Sequence, residues 1–180
     1  WNTVSFLTLY ASASDFTLGN APKIADRPMM DRWILSELNS LIATTDSAYQ
    51  NFDSQEAGLA IATFIDDLSN WYVRRSRRRF WDGDVMALET LYECLEKLTL
   101  LMSPLVPFIT EHVWQELIKP VESDSAASVH LTSWPVVNQQ LIDEKLRDQV
   151  DLTRRIVELG RAARAESSVK IRQPLGRALI

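Results

Sequence analysis

The residues with the clearest binding chemistry lie in one stretch of the sequence, residues 70–81 (NWYVRRSRRRFW). Five of the nineteen Lys and Arg residues of the chain fall within it, bracketed by four aromatic residues. The arginines are Arg74, Arg75, Arg77, Arg78 and Arg79, and the aromatic residues are Trp71, Tyr72, Phe80 and Trp81. Because guanidinium groups bind phosphates, and both guanidinium and aromatic planes stack on bases, the stretch is typical of a site for a polyanion such as RNA.

The basic stretch continues a predicted helix whose apolar residues repeat at helical spacing. At about 100° per residue, these apolar residues share one face of the helix. They are Ala57, Ile61, Phe64, Ile65, Leu68, Trp71 and Tyr72. The same spacing places Arg75 and Arg79 in line with this face and Arg77 opposite to it. The arginines are therefore expected at the overhanging end of a core helix.

The arginines are expected to lack acidic partners on their own helix. Two pairs among them are four residues apart, where like charges repel. No acid precedes any of them by three or four residues, and only Asp82 follows closely enough to help. Because no local acid partner would be lost, replacement of Arg75, Arg77 or Arg79 is not expected to alter stability much. The core-facing line of Arg75 and Arg79 is expected to point into the concave side of the bundle, so their replacement should weaken RNA binding more than replacement of Arg77.

Other interpretations of the basic stretch stay open at the level of residue types. It is also compatible with a solvated charged face, with a helical protein-interaction module that meets an acidic partner, and with a segment that lies on a membrane surface. The formal net charge of the chain is −5, which disfavours indiscriminate binding to nucleic acid or anionic lipid. A single local basic site is compatible with that charge.

Length and composition fit one globular domain that is rich in helices. The chain has 180 residues, of which 46% are hydrophobic and 24% charged, and only five are Gly. Cys94 is the sole cysteine, which excludes an internal disulfide, and with only two histidines a structural zinc site is not expected. No apolar run approaches about 18 residues, so no membrane span is expected. The sequence starts at Trp1 and stops within an apolar run, and we expect it to be a piece of a longer protein.

Helical apolar spacing recurs along most of the chain. Besides the basic helix, helices are expected at residues 1–13, 26–50, 85–102, 108–118 and 139–166. Asp53 and Glu56 have the spacing of a capping box at the start of the basic helix. Residues 129–134 weakly predict a short extended segment, and residues 168–180 alternate as in a strand. The sequence therefore predicts an all-α helical bundle with a short extended C-terminal tail.

No residues form a recognisable catalytic or metal-binding motif. The sequence has no Gly-rich phosphate loop, no cluster of metal ligands and no nucleophile in a known catalytic frame. Asp66 and Asp67 are adjacent on a helix and face different directions, so they do not form an acid/base pair. His112 and His130 are expected to be surface or packing residues. The residues alone therefore indicate a binding module.

Motifs along nearly the whole chain resemble the class I isoleucyl-tRNA synthetases. Residues 70–81 resemble the signature helix of their anticodon-binding domain, and this helix favours the isoleucyl family over the valyl and leucyl enzymes, whose equivalent domains are the alternatives. Further similar segments follow in order: WNTVSFLTLYA (1–11), DRWILSELN (31–39), LMSPLVPFITEHVWQEL (101–117), VHLTSWP (129–135) and VELGRAARAESSVKIRQPL (157–175).

The resemblance implies a parent enzyme that attaches isoleucine to its tRNA with ATP and Mg²⁺, using a Rossmann catalytic domain and an inserted editing domain. It implies that residues 1–166 form the helical anticodon-binding domain and that residues 167–180 begin a small α/β segment. The HIGH-type and KMSKS-type nucleotide motifs are missing from this sequence, as is the C-terminal zinc-binding region of some members. We therefore expect no catalytic residue, cofactor or metal site in this chain.

The resemblance also implies partners and contact residues. The partners are tRNA(Ile) and the catalytic domain of the same polypeptide, in a monomeric cytoplasmic enzyme that does not bind membranes. The candidate tRNA contacts are Trp71, Arg74, Arg75, Arg77, Arg78, Arg79, Trp81, Lys170 and Arg172.

Overall fold

The computed structural model describes residues 1–14, 16–122 and 124–177, and within these ranges it contains no β-strand. The α-helices are α1 (Asn2–Ala13), α2 (Met29–Gln50), α3 (Ser54–Asp66), α4 (Arg74–Trp81), α5 (Val85–Met102), α6 (Pro107–Val113) and α7 (Glu144–Glu166). Two π-helical segments, Asp67–Val73 and Trp114–Ile118, extend α3 and α6, and 3-10 turns lie at Ile24–Asp26, Val129–Leu131 and Gln139–Leu141. The predicted all-α class is confirmed. The chain forms two compact units, residues 1–142 and 143–180.

Helix α2 is the central element of the first unit, because it is buried on most of its circumference and packs against both α3 and α5. Trp33, Ile34 and Leu35 are fully buried. Two buried polar residues of α2 donate to carbonyls of the same helix: Asn39 Nδ2 to Leu35 and Thr45 Oγ1 to Leu41, both at 2.8 Å. Burial of a polar side chain costs little when its hydrogen bonds are made in this way.

Helix α3 starts at the predicted cap. The Asp53 carboxylate Oδ1 accepts a hydrogen bond from the Glu56 backbone N–H at 2.8 Å, which satisfies one of the free donors of the first turn. The residues Ala57, Ile61 and Phe64 then face the core, as their spacing predicts. The position of Asp53 as N-cap is confirmed.

The predicted basic helix forms, but it is not one regular α-helix. Helix α3 passes into the π segment (Asp67–Val73) and then into α4 without a break. One line of buried residues on this run has a spacing of four: Phe64, Leu68, Tyr72, Ser76 and Phe80. In a regular α-helix four residues advance about 40° beyond a full turn, so this line would drift away from the core. The wider i→i+5 turns of a π-helix take up the additional residues and keep the line buried.

This change of helical phase makes one sequence prediction wrong. Regular spacing places Arg75 and Arg79 on the core-facing line, whereas the structure places Ser76 and Phe80 there. Arg75 is exposed, and Arg79 lies beside the buried line with 24% of its side chain exposed. The prediction assumes the α-helical rotation of about 100° per residue, and the π segment Asp67–Val73 has a smaller rotation per residue.

The turn between α4 and α5 is fixed by two residues. Gly83 has φ = 70°, and a Cβ there would lie 3.2 Å from the Ser14 Cβ, so both backbone conformation and space favour glycine. Asp84 caps α5, because its Oδ1 accepts from the backbone N–H groups of Met86 (2.9 Å) and Ala87 (3.3 Å). The predicted limits of α5, residues 85 and 102, are confirmed.

Helix α6 is tied to the chain that follows it. Glu111 Oε2 accepts from Ser128 Oγ at 2.7 Å and from the Val129 N–H at 3.0 Å. Trp114 Nε1 donates to the Ala126 carbonyl at 3.0 Å. Residues 129–131 form a 3-10 turn, so the extended segment predicted to start at residue 129 is wrong at these positions. The Ser128 and Val129 bonds to one carboxylate favour the tighter turn.

The second unit consists of α7 and the turns after it. Asp143 caps α7 by accepting from the Leu146 N–H at 2.9 Å, so the helix starts later than the predicted residue 139. After α7, Arg164 Nη1 donates to the carbonyls of Lys170 (3.0 Å), Ile171 (3.4 Å) and Gln173 (2.8 Å). These bonds shape the turn around residues 170–173. Residues 168–177 contain no strand, so the predicted strand is wrong there, and residues 178–180 lie outside the described part. The domain boundary after residue 166 stays a prediction.

A buried network of charged and polar groups joins α2, α4 and α5, and we call it the Arg79 clamp. Asp31, in the first turn of α2, is fully buried. Arg79 Nη1 and Nη2 donate to Asp31 Oδ1 (2.6 Å) and Oδ2 (2.8 Å), and Arg79 Nε donates to Asp84 Oδ2 (2.8 Å). The Tyr72 hydroxyl donates to Asp31 Oδ1 at 2.9 Å. Arg79 has no acidic partner on its own helix, as its spacing predicts, but it has two on other elements that the spacing does not reveal.

The ionisation of the clamp follows from its contacts. The hydrogen bonds that Arg79 donates to Asp31 raise the pKa of the Arg79 guanidinium above its ordinary value. Burial, reinforced by the Asp31 carboxylate, raises the pKa of Tyr72 well above its ordinary value, so its hydroxyl remains a donor. The pKa of Asp84 is lowered: burial alone would raise it, but hydrogen bonding to Arg79 and the Arg79 charge outweigh that effect.

We predict that Arg79→Ala lowers the free energy of unfolding by on the order of 3 kcal/mol, because it leaves the fully buried Asp31 carboxylate without its ionic partner. Arg77→Ala, on the exposed side of the same helix, is expected to change it by less than about 0.5 kcal/mol. Urea unfolding of both variants measures this difference. Equal and small effects would mean that the clamp contributes nothing to stability.

We also predict that Asp84 makes stability depend on acid pH. Because the folded-state pKa of Asp84 is lowered, its contribution is present above the pKa of the unfolded chain, about 4, and is lost as the pH falls toward the folded-state value. Asp84→Asn keeps a good N-cap but cannot titrate, so the variant should lose less melting temperature on acidification than the wild-type chain. Parallel melting curves against pH for the two proteins would contradict this assignment.

Candidate nucleic-acid interface

The π segment and α4 turn one side to the core and the other to solvent. Ser76 and Phe80 occupy the inward side of α4. The outward side carries arginines flanked by one tryptophan at each end, and we call it the basic face. It consists of Trp71, Arg74, Arg75, Arg77, Arg78 and Trp81. The structure therefore brings together on one helix run most of the residues predicted to contact RNA.

At the start of the basic face, Arg75 lies over Trp71. The Arg75 guanidinium carbon is 5.1 Å from the centroid of the half-buried Trp71 ring, within the range of a cation–π contact. Such a contact limits the orientations of the guanidinium group while leaving its N–H donors available. Less side-chain freedom is then lost when a phosphate binds.

The central arginines of the basic face are held weakly. Arg78 is 94% exposed, and its Nε lies 3.8 Å from Asp82 Oδ2, a long contact between two exposed groups. Exposed ion pairs of this kind contribute about 0–1 kcal/mol. Arg74 and Arg77 are exposed and have no ionic or hydrogen-bonding side-chain partner among the residues that the structure describes. These side chains are free to meet an anion.

Trp81 ends the basic face and leaves 77% of its surface exposed. Its π-face can stack on a nucleobase, an interaction worth about 1–3 kcal/mol per base in single-stranded complexes. Arg77 and Arg78, one helical turn before it, lie close enough along the helix to contact phosphates of the same strand.

Arg79, which the sequence places among the contact residues, has a different environment. Its Nε, Nη1 and Nη2 atoms all donate to carboxylates of the Arg79 clamp. Its guanidinium group therefore faces Asp31 and Asp84 and is not part of the basic face. Its contact with RNA stays an untested prediction, but the group is already committed within the fold.

Lys170 and Arg172 belong to the second unit, whereas the basic face belongs to the first. Both side chains are exposed in the turns that follow α7. The bonds from Arg164 to the Lys170, Ile171 and Gln173 carbonyls shape this turn from the backbone side. These two basic residues thus lie in a segment whose backbone is bonded to Arg164, and their contact with RNA stays a prediction.

Sequence reasoning missed the acidic residues that hold α4 in place. Asp31 is 48 residues before Arg79, and no local spacing connects the two. Asp84 is five residues after Arg79, beyond helical pairing distance, but its position before an apolar helical pattern marks it as an N-cap. The N-cap position of Asp84, close to the run of arginines, could have indicated its pairing with Arg79. No feature of the sequence indicates the contact between Arg79 and Asp31.

The side chains of the basic face are suited to binding a nucleic acid. It offers guanidinium donors and two indole rings, which suit phosphate oxygens and base planes. The described residues do not bring three or more His, Cys, Asp or Glu side chains together as a metal site. No helix among them is both long and apolar enough to pass through a membrane.

Comparison with known proteins agrees with this chemistry. Residues 31–179 match the family model described as the anticodon-binding domain of tRNA ligase. The isoleucine–tRNA ligase of Thermobifida fusca is 58% identical over 100% of this chain and 18% of its own length. The corresponding values are 56%, 100% and 17% for the enzyme of Streptomyces avermitilis, and 50%, 100% and 19% for that of Cutibacterium acnes. The chain therefore spans less than a fifth of the length of these relatives.

The family match extends from Asp31, the buried acid of the Arg79 clamp, to beyond the turn that carries Lys170 and Arg172. It includes the whole basic face and parts of both units. The resemblance seen in the motifs is confirmed at this level: the chain belongs to the family of anticodon-binding domains of tRNA ligases.

Proposed function

We propose that this chain is the tRNA-binding domain of an isoleucine–tRNA ligase, and that its basic face grips tRNA(Ile). The observation that carries the proposal is the exposed, tryptophan-flanked set of arginines on α4 in a chain of this family. The names of the similar proteins support isoleucine as the amino acid. The domain would orient tRNA(Ile) toward a catalytic domain elsewhere in the same polypeptide.

In this proposal the arginines and tryptophans have separate roles. Arg74, Arg77 and Arg78 neutralise phosphates, whereas Trp81 and the stacked pair Trp71–Arg75 offer planes for unpaired bases. Phosphate contacts position an RNA, and base contacts carry sequence information. Lys170 and Arg172 would add contacts from the second unit. The net charge of −5 keeps such binding local to the basic sites.

The remaining properties are proposed for the parent enzyme as a whole. ATP and Mg²⁺ would serve the amino-acid activation step, and this sequence lacks the nucleotide motifs for it. The parent would act as a cytoplasmic monomer. Residues 167–180 would begin its next, small α/β segment.

We predict that Arg74→Gln and Arg78→Gln each weaken binding of a tRNA(Ile) transcript by roughly threefold to tenfold, the effect of one charge-assisted contact. Each should also reduce the slope of log affinity against log salt by about 1, because one phosphate contact is lost. The wild-type slope is expected to be roughly −2 to −4, for three to four phosphate contacts. Fluorescence anisotropy over a salt series measures both quantities.

The matched control for these variants is Lys119→Gln, which removes the same charge from an exposed residue after α6. It should leave tRNA affinity nearly unchanged. An equal loss of tRNA affinity in all three variants would mean that the effect depends only on the net charge of the chain. Preferential binding of an acidic peptide or of anionic vesicles over tRNA would favour the protein-interaction or membrane-surface alternative.

We further predict that the chain by itself does not activate isoleucine. The motivation is the lack of HIGH-type and KMSKS-type motifs in its sequence. Isoleucine-dependent exchange of pyrophosphate into ATP should stay at the level of a no-enzyme control. Turnover above that level by the purified chain would place an activation site within these 180 residues and contradict the assignment as a binding domain.

A further inference from the structure

Helix α4 has little intrinsic stability for the charge that it carries. It is eight residues long and has no acidic residue in its first turn. Arg74 and Arg78 repel each other four residues apart, and so do Arg75 and Arg79. Contacts to the rest of the first unit must therefore hold α4 in its orientation.

The polar contacts that could do so converge on one buried carboxylate. Tyr72, in the π segment, and Arg79, near the end of α4, both donate to Asp31 Oδ1, at 2.9 and 2.6 Å. A second Arg79 donor reaches Asp31 Oδ2, and a third reaches Asp84 at the start of α5. Both ends of the basic face are thus tied to Asp31.

The geometry of these bonds restrains rotation as well as position. A guanidinium group is planar, and its donors have fixed directions. With two donors on Asp31 and a third on Asp84, the Arg79 plane is held between the starts of α2 and α5. Rotation of α4 about its axis would break at least one bond to a buried or half-buried acid. Arg79 therefore helps to set which side of α4 faces solvent, together with the buried side chain of Phe80.

We infer that Asp31 and Asp84 are positioning residues for RNA binding: they anchor Arg79, and this anchor directs the other arginines of α4 toward the polyanion. The inference rests on the proposed function. Asp31 and Asp84, although acidic, would then favour the binding of a polyanion. Arg79 would act as a positioning residue as well. Direct electrostatics alone would give the opposite sign, because removal of an acid near a phosphate-binding site raises the affinity for phosphate.

Positioning predicts that removal of either acid weakens tRNA binding, whereas direct electrostatics predicts that it strengthens binding. Asp31→Asn and Asp84→Asn each remove one negative charge at nearly constant shape, and affinity for an unmodified tRNA(Ile) transcript is measured at one fixed salt concentration. Each variant is expected to bind roughly tenfold more weakly, equivalent to about one charge-assisted contact of α4. Asp84→Asn retains the cap of α5 and decides the question if Asp31→Asn does not fold.

Two further variants serve as controls. Asp82→Asn removes an exposed acid two residues from Asp84, outside the clamp, and should bind tRNA as well as or better than the wild-type chain. Glu89→Gln breaks a different ion pair, between Glu89 Oε1 and the buried Arg27 Nη2 at 3.0 Å. It should lower stability while leaving tRNA affinity unchanged below its melting temperature.

The salt dependence separates positioning from mere loss of folded protein. Partial unfolding lowers the apparent affinity without changing the salt slope, whereas misdirected arginines make fewer phosphate contacts and give a shallower slope. Unchanged or tighter binding by folded Asp31→Asn and Asp84→Asn would overturn the inference, and so would an equal loss with Glu89→Gln. If Arg74→Gln weakens binding but Asp84→Asn does not, only the inference fails. If the wild-type chain does not bind tRNA, both the inference and the proposed function fail.

Discussion

The first unit depends on the contact between a fully buried carboxylate, Asp31, and the guanidinium group of Arg79. A buried charge is tolerated only when its partners are close and correctly directed, so few alternative arrangements of the surrounding helices are compatible with this pair. Asp31 receives three hydrogen bonds, from Tyr72 and twice from Arg79, and thereby connects the start of α2 with the π segment and α4. The pair therefore restricts how α2 and α4 can be arranged, and loss of either partner would leave a charge without compensation.

Neighbouring arginines on one helix have different roles because their surroundings differ. Arg79 lies beside the buried line and serves the fold, whereas Arg78, one residue earlier, is almost completely exposed. Arg75 is intermediate, since the Trp71 ring supports it without neutralising its charge. Composition alone cannot separate these cases, because the division between inward and outward residues depends on where the helical phase changes.

The features predictable from the sequence are those governed by local rules. The limits of α5 follow from its apolar spacing, and the Asp53 cap follows from the residue type before a helical pattern. The outward position of Arg77 also follows from its spacing. The pairing of Arg79 with Asp31 was not, because it depends on how two distant helices pack. The predicted C-terminal strand failed because alternation alone provides no neighbouring strand, and Arg164 instead binds the carbonyls of that segment.

The number of residues in the π segment determines which side of α4, and therefore which arginines, face solvent. Between Phe64 and Arg74, each residue gained or lost would turn α4 by about 100° relative to the core, with no change in the composition of α4. One such step would carry an arginine toward the apolar interior and bring Phe80 toward water. Substitutions within the segment that preserve its length leave the arginines where they are. An insertion or deletion there would abolish the basic face while every arginine remained in the sequence.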